Sequence, residues 1–271
     1  MTAPVLEVDG LTVRYGPGCT ECDPRTSESS RCTSCGTVWA CRDVSFEVGP
    51  GEVLGIVGES GSGKSTVLAC ANLDIAPLSG RVRIDGADVT HVRGSERRRL
   101  RAERLGIVYQ TPAQGLDLEL TVGGNIASRM LAAGVREYAA LRERAGDLVK
   151  ETELPEDRLD AVTESFSGGM QQRVHVAKAL ATRPPIVMLD EPTSGLDVSV
   201  QARLLDLLRR IQRETELAMV LVSHDLGVIR MLADRLLVMR HGRIVERGLT
   251  DQLLNDPHHP YTQLLVSSQL A

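Results

Sequence analysis

Val53-Leu54-Gly55-Ile56-Val57-Gly58-Glu59-Ser60-Gly61-Ser62-Gly63-Lys64-Ser65-Thr66 is the stretch on which the fold turns. Its first five residues are apolar without polar alternation, which reads as a strand buried on both faces in a parallel sheet. Gly58 to Ser65 then fit the spacing G-x-x-x-x-G-K-[ST]. Phosphate oxygens must approach backbone N–H groups closely, and glycines at 58, 61 and 63 remove side chains that would block them. A helix starting near Lys64 would aim its N-terminal amides and dipole at the anion. Lys64 can bridge the terminal phosphates, and the Ser65 hydroxyl can ligate Mg²⁺. The plain alternative is a glycine-rich turn without a ligand. The strand before it and the helix after it are the context a phosphate loop requires.

Working outward, Ile186-Val187-Met188-Leu189-Asp190-Glu191 is a second apolar strand, and it delivers two acids at its C-terminal end. In a parallel sheet that end lies beside the phosphate loop, so Asp190 would hold the Mg²⁺ shell and Glu191 would polarise an attacking water. Capping of the next helix is the plainer reading of these acids. Leu217 to Val222 reads as another buried strand. Between the two, Val200, Leu204, Leu207, Leu208 and Ile211 recur at helical spacing with one buried face. Leu236 to Met239, the His241-Gly242 turn and Ile244-Val245 predict a hairpin. Leu6 to Tyr15 and Val44 to Val48 read as antiparallel strands. From about 110 to 165 helical patterns dominate, which predicts a helical subdomain inserted into an α/β core. The arginine-rich stretch Gly94 to Arg104 reads as a solvated helix face, or else as a surface for an acidic partner.

Composition sets limits. Hydrophobic residues are 42% of the 271, charged residues 25%, and the net charge is −5. That acidic balance argues against nucleic acid as a partner. No apolar run approaches the ~18–20 residues that cross a bilayer. Met1 to Asp9 shows no secretory signal. The expectation is a cytoplasmic chain without direct membrane insertion.

Ser165-Phe166-Ser167-Gly168-Gly169-Met170-Gln171-Gln172-Arg173 narrows the field. A Ser-Gly-Gly helix start taken alone could be an ordinary N-cap. Its position about 20 residues ahead of Asp190-Glu191 resembles the signature of the ABC ATPases. The resemblance implies an α/β P-loop NTPase fold of the ABC nucleotide-binding type, with a RecA-like core, an antiparallel β subdomain and a helical signature subdomain. It implies one domain over 1–271, with the helical part at 110–165 and a C-terminal hairpin and tail at 241–271. It also implies hydrolysis of ATP to ADP and phosphate, with Mg²⁺.

The same resemblance assigns roles. Tyr15 corresponds to the aromatic that stacks on adenine. Gly58, Glu59, Ser60, Gly61, Ser62, Gly63, Lys64, Ser65 and Thr66 hold the phosphates. Ser65, Gln110 and Asp190 hold Mg²⁺. Glu191, His224 (in Ser223-His224-Asp225) and Gln110 form the catalytic set. Ser167, Gly168, Gly169 and Gln171, with Asp197 of Ser194-Gly195-Leu196-Asp197, face nucleotide across a dimer. Two chains, or this chain and a related ABC domain, would sandwich two ATP molecules between one copy's phosphate loop and the other's signature. Tyr15 and His224 also have plain structural readings.

Asp256-Pro257-His258-His259-Pro260-Tyr261-Thr262-Gln263-Leu264-Leu265 resembles the oligopeptide and dipeptide importers. Those chains run on well past the motif, and this one stops six residues after Leu265. With Gly123-Gly124-Asn125-Ile126, Ser199 to Arg209 and Leu264 to Ser268, the stretch is most similar to the ATP-binding accessory subunits of the bacterial carbon–phosphorus lyase system. That implies an ATPase docking on a lyase core complex during phosphonate breakdown; the alternative is the motor of a peptide importer. An idle scaffold is disfavoured because no catalytic position is missing.

Five of the six cysteines lie between 19 and 41, a density that core packing does not require. Cys19-x-x-Cys22 and Cys32-x-x-Cys35-Gly36 could supply four thiolates to a structural Zn²⁺. An iron–sulfur cluster and free thiols are the other readings. Cys41 is a spare ligand, and Cys70 a small buried hydrophobe. The insert spans 16–41, where ABC domains have a simple turn.

Overall fold

The computed structural model describes residues 3–20, 22–23 and 29–269. Residues 21 and 24–28 of the expected insert, and 270–271 of the expected tail, lie outside them. The chain divides into two compact units, one of residues 1–91 with 220–271 and one of residues 92–219. The second is wider than the expected helical stretch because it also carries strands.

The first unit opens with β1 (Leu6–Tyr15) and β2 (Val38–Val48), which pair antiparallel with Tyr15 opposite Val38 and Leu6 opposite Val48. β2 starts six residues earlier than the Val44–Val48 expectation. Trp39 to Arg42 are all buried, and such unalternating burial hides the two-residue period by which a strand is read. β3 (Val53–Val57) is buried throughout and leads into α1 (Lys64–Ala71). β4 (Ser79–Ile84) and β5 (Ala87–Asp88) complete a four-stranded sheet in the order β2-β1-β4-β5.

The second unit carries α2 (Gly94–Arg104), with only Ala102 buried, in keeping with a solvated face. β6 (Leu105–Val108) follows without a break. A four-residue apolar run is too short for periodicity to identify. α3 (Val122–Ala132) and α4 (Tyr138–Glu151) occupy the stretch where strand signal faded. α5 (Gly168–Leu180) precedes β7 (Ile186–Asp190), which lies parallel to β6. α6 (Val198–Thr215) buries Leu204, Leu205, Leu207, Leu208 and Ile211.

β8 (Ala218–Val222) leads back to the first unit, which continues with α7 (Leu226–Leu232). β9 (Arg235–Arg240) lies parallel to β3, and β10 (Arg243–Leu249) closes the expected hairpin against it. α8 (Thr250–Asn255) and α9 (Pro260–Gln269) follow. Among the described residues no helix is long and apolar enough to cross a membrane.

Candidate functional site

The loop between β3 and α1 is a cradle built from backbone. Gly63, the residue before α1, has φ 108° and supplies no side-chain cap. A Cβ there would lie 2.1 Å from the Ala40 carbonyl oxygen of β2, so only glycine lets the loop seat on that strand. Gly61 is the opposite case: its φ is 79°, and a Cβ would meet nothing within 4 Å. The loop therefore presents an open, side-chain-free rim at Gly61 and a seated base at Gly63. Lys64, buried, donates from Nζ to the carbonyls of Gly58 (2.7 Å) and Glu59 (2.9 Å), which places its ammonium inside the curl. Ser65 is exposed at the helix start. Ser62 Oγ is buried without a hydrogen-bond partner among the described residues. A rim of glycine, an inward ammonium and a helix start without a cap fit a bound phosphate chain.

Two distant segments brace this loop. Gly242, in the turn between β9 and β10, donates to Ser62 O at 2.9 Å and accepts from Arg42 N at 2.8 Å. Glu59 N donates to the Tyr261 hydroxyl at 2.9 Å. Tyr261 is buried, with the Arg240 guanidinium 4.9 Å from its ring centre. Tyr15 ends β1 with half its surface exposed, available for a flat ligand to stack upon. His224 is exposed between β8 and α7, while Asp225 caps α7 by accepting from Gly227 N and Val228 N.

In the second unit, parallel pairing sets Val108 of β6 opposite Leu189 of β7, so the residues just past both strands emerge at one end. The Gln110 amide accordingly donates to Glu191 Oε2 at 3.4 Å and to Ser194 Oγ at 3.1 Å. Asp190 is the last residue of β7. Glu191 has φ 48°, a left-handed backbone uncommon for a non-glycine residue and typical of functional positions. Ser167 caps α5, accepting from Met170 N at 3.4 Å, and Ser167 and Gly168 are both exposed. Gly169 lets α5 pack on α6, since a Cβ would lie 2.4 Å from Val200 Cγ1. The Gln171 amide donates to Thr163 O and Phe166 O, so in this structure it braces the helix start. Asp197 caps α6 through Ser199 N and Val200 N, and the bond from the Ser199 hydroxyl leads the effects that hold its carboxyl below the usual range.

His175 of α5 is buried, and desolvation pushes it down to about 3. A Cβ on Gly115 would lie 2.0 Å from its Nε2.

The four cysteines of the two pairs come together. Their sulfurs all lie within 4.8 Å of one another. Cys41 is not with them; it is fully buried in β2 with Sγ 3.9 Å from Gly63 O, so the spare-ligand reading is corrected. The lack of alternation hid this, because β2 extends through residue 41 with Trp39 to Arg42 all buried. Cys70 is buried, as expected of a small hydrophobe. A bond with Thr37 leads the effects that draw the Cys35 thiol down to about 6, and a bond with Cys35 leads those that push Cys22 up to about 12.

Several site residues escape a reading of the sequence. Tyr261 braces a loop 202 residues away, and Ala40 supplies the seat for Gly63. Tyr261 stands in the quoted tail motif, but nothing local ties it to the loop, and Ala40 carries no signal. Ser194, the second partner of Gln110, sits inside a recognisable motif and could have been singled out.

The model of the ABC transporter family matches residues 41–194. A protein of Escherichia coli K12 named for phosphonates utilization and ATP binding, PhnK, is 48% identical over 270 residues, covering all of this chain and 99% of its own length. A Brucella ovis protein named for peptide import and ATP binding is 39% identical over 265 residues, covering 98% of this chain and 78% of itself. Among solved structures, the dimeric ATP-binding cassette MJ0796 with ADP and Pi superposes with a TM-score of 0.76 at 28% identity, covering 90% of this chain and 98% of its own. With a phosphate cradle, a strand-end carboxylate pair and an exposed Ser-Gly-Gly helix start on one chain, these matches have one meaning: the chain belongs to the ABC transporter family, as one of its ATP-hydrolysing nucleotide-binding domains.

Proposed function

We propose that the whole chain works as one ABC domain whose ATP-driven pairing remodels a carbon–phosphorus lyase core complex during phosphonate breakdown in the cytoplasm. The 48% identity to a phosphonates-utilization protein over its full length supports this reading. The second reading, the motor of an oligopeptide or dipeptide importer, is favoured by relatives at 39% identity. Affinity purification of the tagged chain from its own cells distinguishes the two: co-purifying lyase subunits support the first, and co-purifying permease subunits would overturn it.

For the chemistry, the carrying observation is the cradle. Its open rim at Gly61 admits phosphate oxygens, and Lys64 shifts its ammonium from the loop carbonyls to the terminal phosphates. Ser65, Asp190 and Gln110 offer the oxygen donors Mg²⁺ prefers. When bound, the ion neutralises charge on the phosphates. Glu191 orients and polarises the attacking water as general base, with Gln110 holding its carboxylate until nucleotide arrives. His224 contacts the γ-phosphate end, and Tyr15 stacks on the adenine. Ser167, Gly168 and Gly169 reach a second copy's nucleotide, with Gln171 supporting that helix start and Asp197 facing the same seam. ATP is thereby gripped from two sides, so turnover requires pairing with another such domain. ATPase activity that rises with the square of protein concentration at low concentration would support this; strictly linear activity would overturn it.

A further inference from the structure

We infer that Cys19, Cys22, Cys32 and Cys35 form a four-thiolate site for one zinc ion, and that this ion clamps the end of the β1–β2 hairpin so that nucleotide affinity depends on it. The second half rests on the ATP reading above; the metal half does not.

Distances identify the kind of ligand. A tetrahedral zinc with sulfur at about 2.3 Å requires sulfurs about 3.8 Å apart. Here Cys19 Sγ lies 3.5 Å from Cys22 Sγ and 3.8 Å from Cys32 Sγ, and Cys22 Sγ lies 3.1 Å from Cys35 Sγ. These thiols are not disulfide-bonded. A polynuclear iron–sulfur cluster would hold its four cysteines farther apart than one ion does, which favours a single metal. The backbone is shaped for it too. Cys22 N donates to Cys19 O (3.1 Å) and Gly36 N to Cys32 O (3.0 Å), so each pair closes a tight turn. Gly36 has φ 72°, which suits the second turn. Metal-bound sulfur is commonly held by a further ring of partners, and Thr37 supplies one. Its hydroxyl, buried, lies 3.1 Å from Cys35 Sγ and accepts from Gly18 N at 2.9 Å, which leaves its proton to turn toward a thiolate.

The strand beyond Thr37 links this site to the nucleotide. Val38 pairs with Tyr15, the proposed adenine platform. Trp39 is buried with the Arg14 guanidinium 5.9 Å from its ring centre. Ala40 is the seat of Gly63, and Arg42 N reaches Ser62 O through Gly242. Cys32 and Cys35 thus lie just ahead of a strand that braces the phosphate loop a few residues on. A metal that closes residues 16–37 removes loop freedom from the end of that strand. Among the described residues of that segment no apolar side chain is buried to hold it without the metal.

The test uses the full chain as purified, with elemental analysis for zinc and iron and titration of a fluorescent ATP analogue. We expect about one zinc per chain and no iron, with the zinc lost in Cys22→Ser/Cys35→Ser. Stripping the wild type with a chelator should weaken the analogue about fivefold or more. Adding Zn²⁺ back should restore affinity to the stripped wild type and not to the variant. Substoichiometric zinc, stoichiometric iron, or zinc retained by the variant overturns the site. Unchanged affinity after stripping overturns the coupling while the site stands. If the zinc-loaded protein binds no analogue at all, the ATP reading fails and the metal count still decides the site.

Discussion

Replacing Gly63 and Gly61 by alanine, one at a time, separates the two jobs the phosphate loop performs. At Gly63 the backbone has φ 108° and the new Cβ would sit 2.1 Å from the Ala40 carbonyl, a backbone atom that cannot swing aside. Strain at such a φ costs about 1–3 kcal/mol, and overpacking adds about 1–3 kcal/mol. At about 2–4 °C per kcal/mol for a chain of this size, Gly63→Ala should melt roughly 5–20 °C below wild type and lose nucleotide with its loop. At Gly61 the φ is 79°, but no atom lies within 4 Å of the new Cβ. A left-handed alanine costs about 1–2 kcal/mol, so the melting point should fall by only a few degrees. Its methyl group would nevertheless stand on the rim where we propose that phosphate oxygens approach, and ATP affinity should drop by about tenfold or more. Thermal melts without ligand, paired with nucleotide titrations, read both quantities. If Gly61→Ala binds ATP like wild type, phosphate does not lie against that rim. If Gly63→Ala melts like wild type, the seat on Ala40 is not what shapes the loop.

Glu191→Gln keeps the side chain's size and the neighbouring Gln110 contact. It should bind ATP normally, lose about 10²-fold or more in turnover, and elute as a dimer with ATP; near-normal hydrolysis would remove the role given to Glu191. Lys64→Ala deletes an ammonium placed inside the loop, and affinity should fall about 10–100-fold, a charge-assisted bond being worth about 1.5–3 kcal/mol. Unchanged ATP affinity would contradict this. His175 has a folded value of about 3 against 6.5 free, so the unfolded chain binds protons more readily. Its contribution is present above pH 6.5 and is lost as pH falls toward 3. Between pH 6.5 and 5 the loss is roughly 2 kcal/mol. His175→Leu, which also removes a buried Nδ1 without a partner among the described residues, should flatten that part of the stability curve, and an unchanged slope would exclude His175 as its source.

The apolar strands β3 and β7 and the amphipathic α6 were legible because each signal is local: burial on both faces writes an unbroken apolar run, and one buried face writes a helical period. β6, with four residues after a charged helix, and the first half of β2, where Arg42 and Asp43 break the apolar run, were not. Among the site residues, the phosphate loop, the two strand-end acids and the Cys-x-x-Cys pairs announced themselves by spacing.

Chemistry carried by neighbouring residues can be read from order alone, because a glycine rim, a lysine and a helix start are assembled by a single turn of chain. Contacts across long separations cannot, because they depend on which strands lie side by side. Pairing of β6 with β7 brought Gln110 to Glu191, and α9 carried Tyr261 to the phosphate loop. The same folding gathered four thiols into one cluster and drew Cys41 away beneath Gly63.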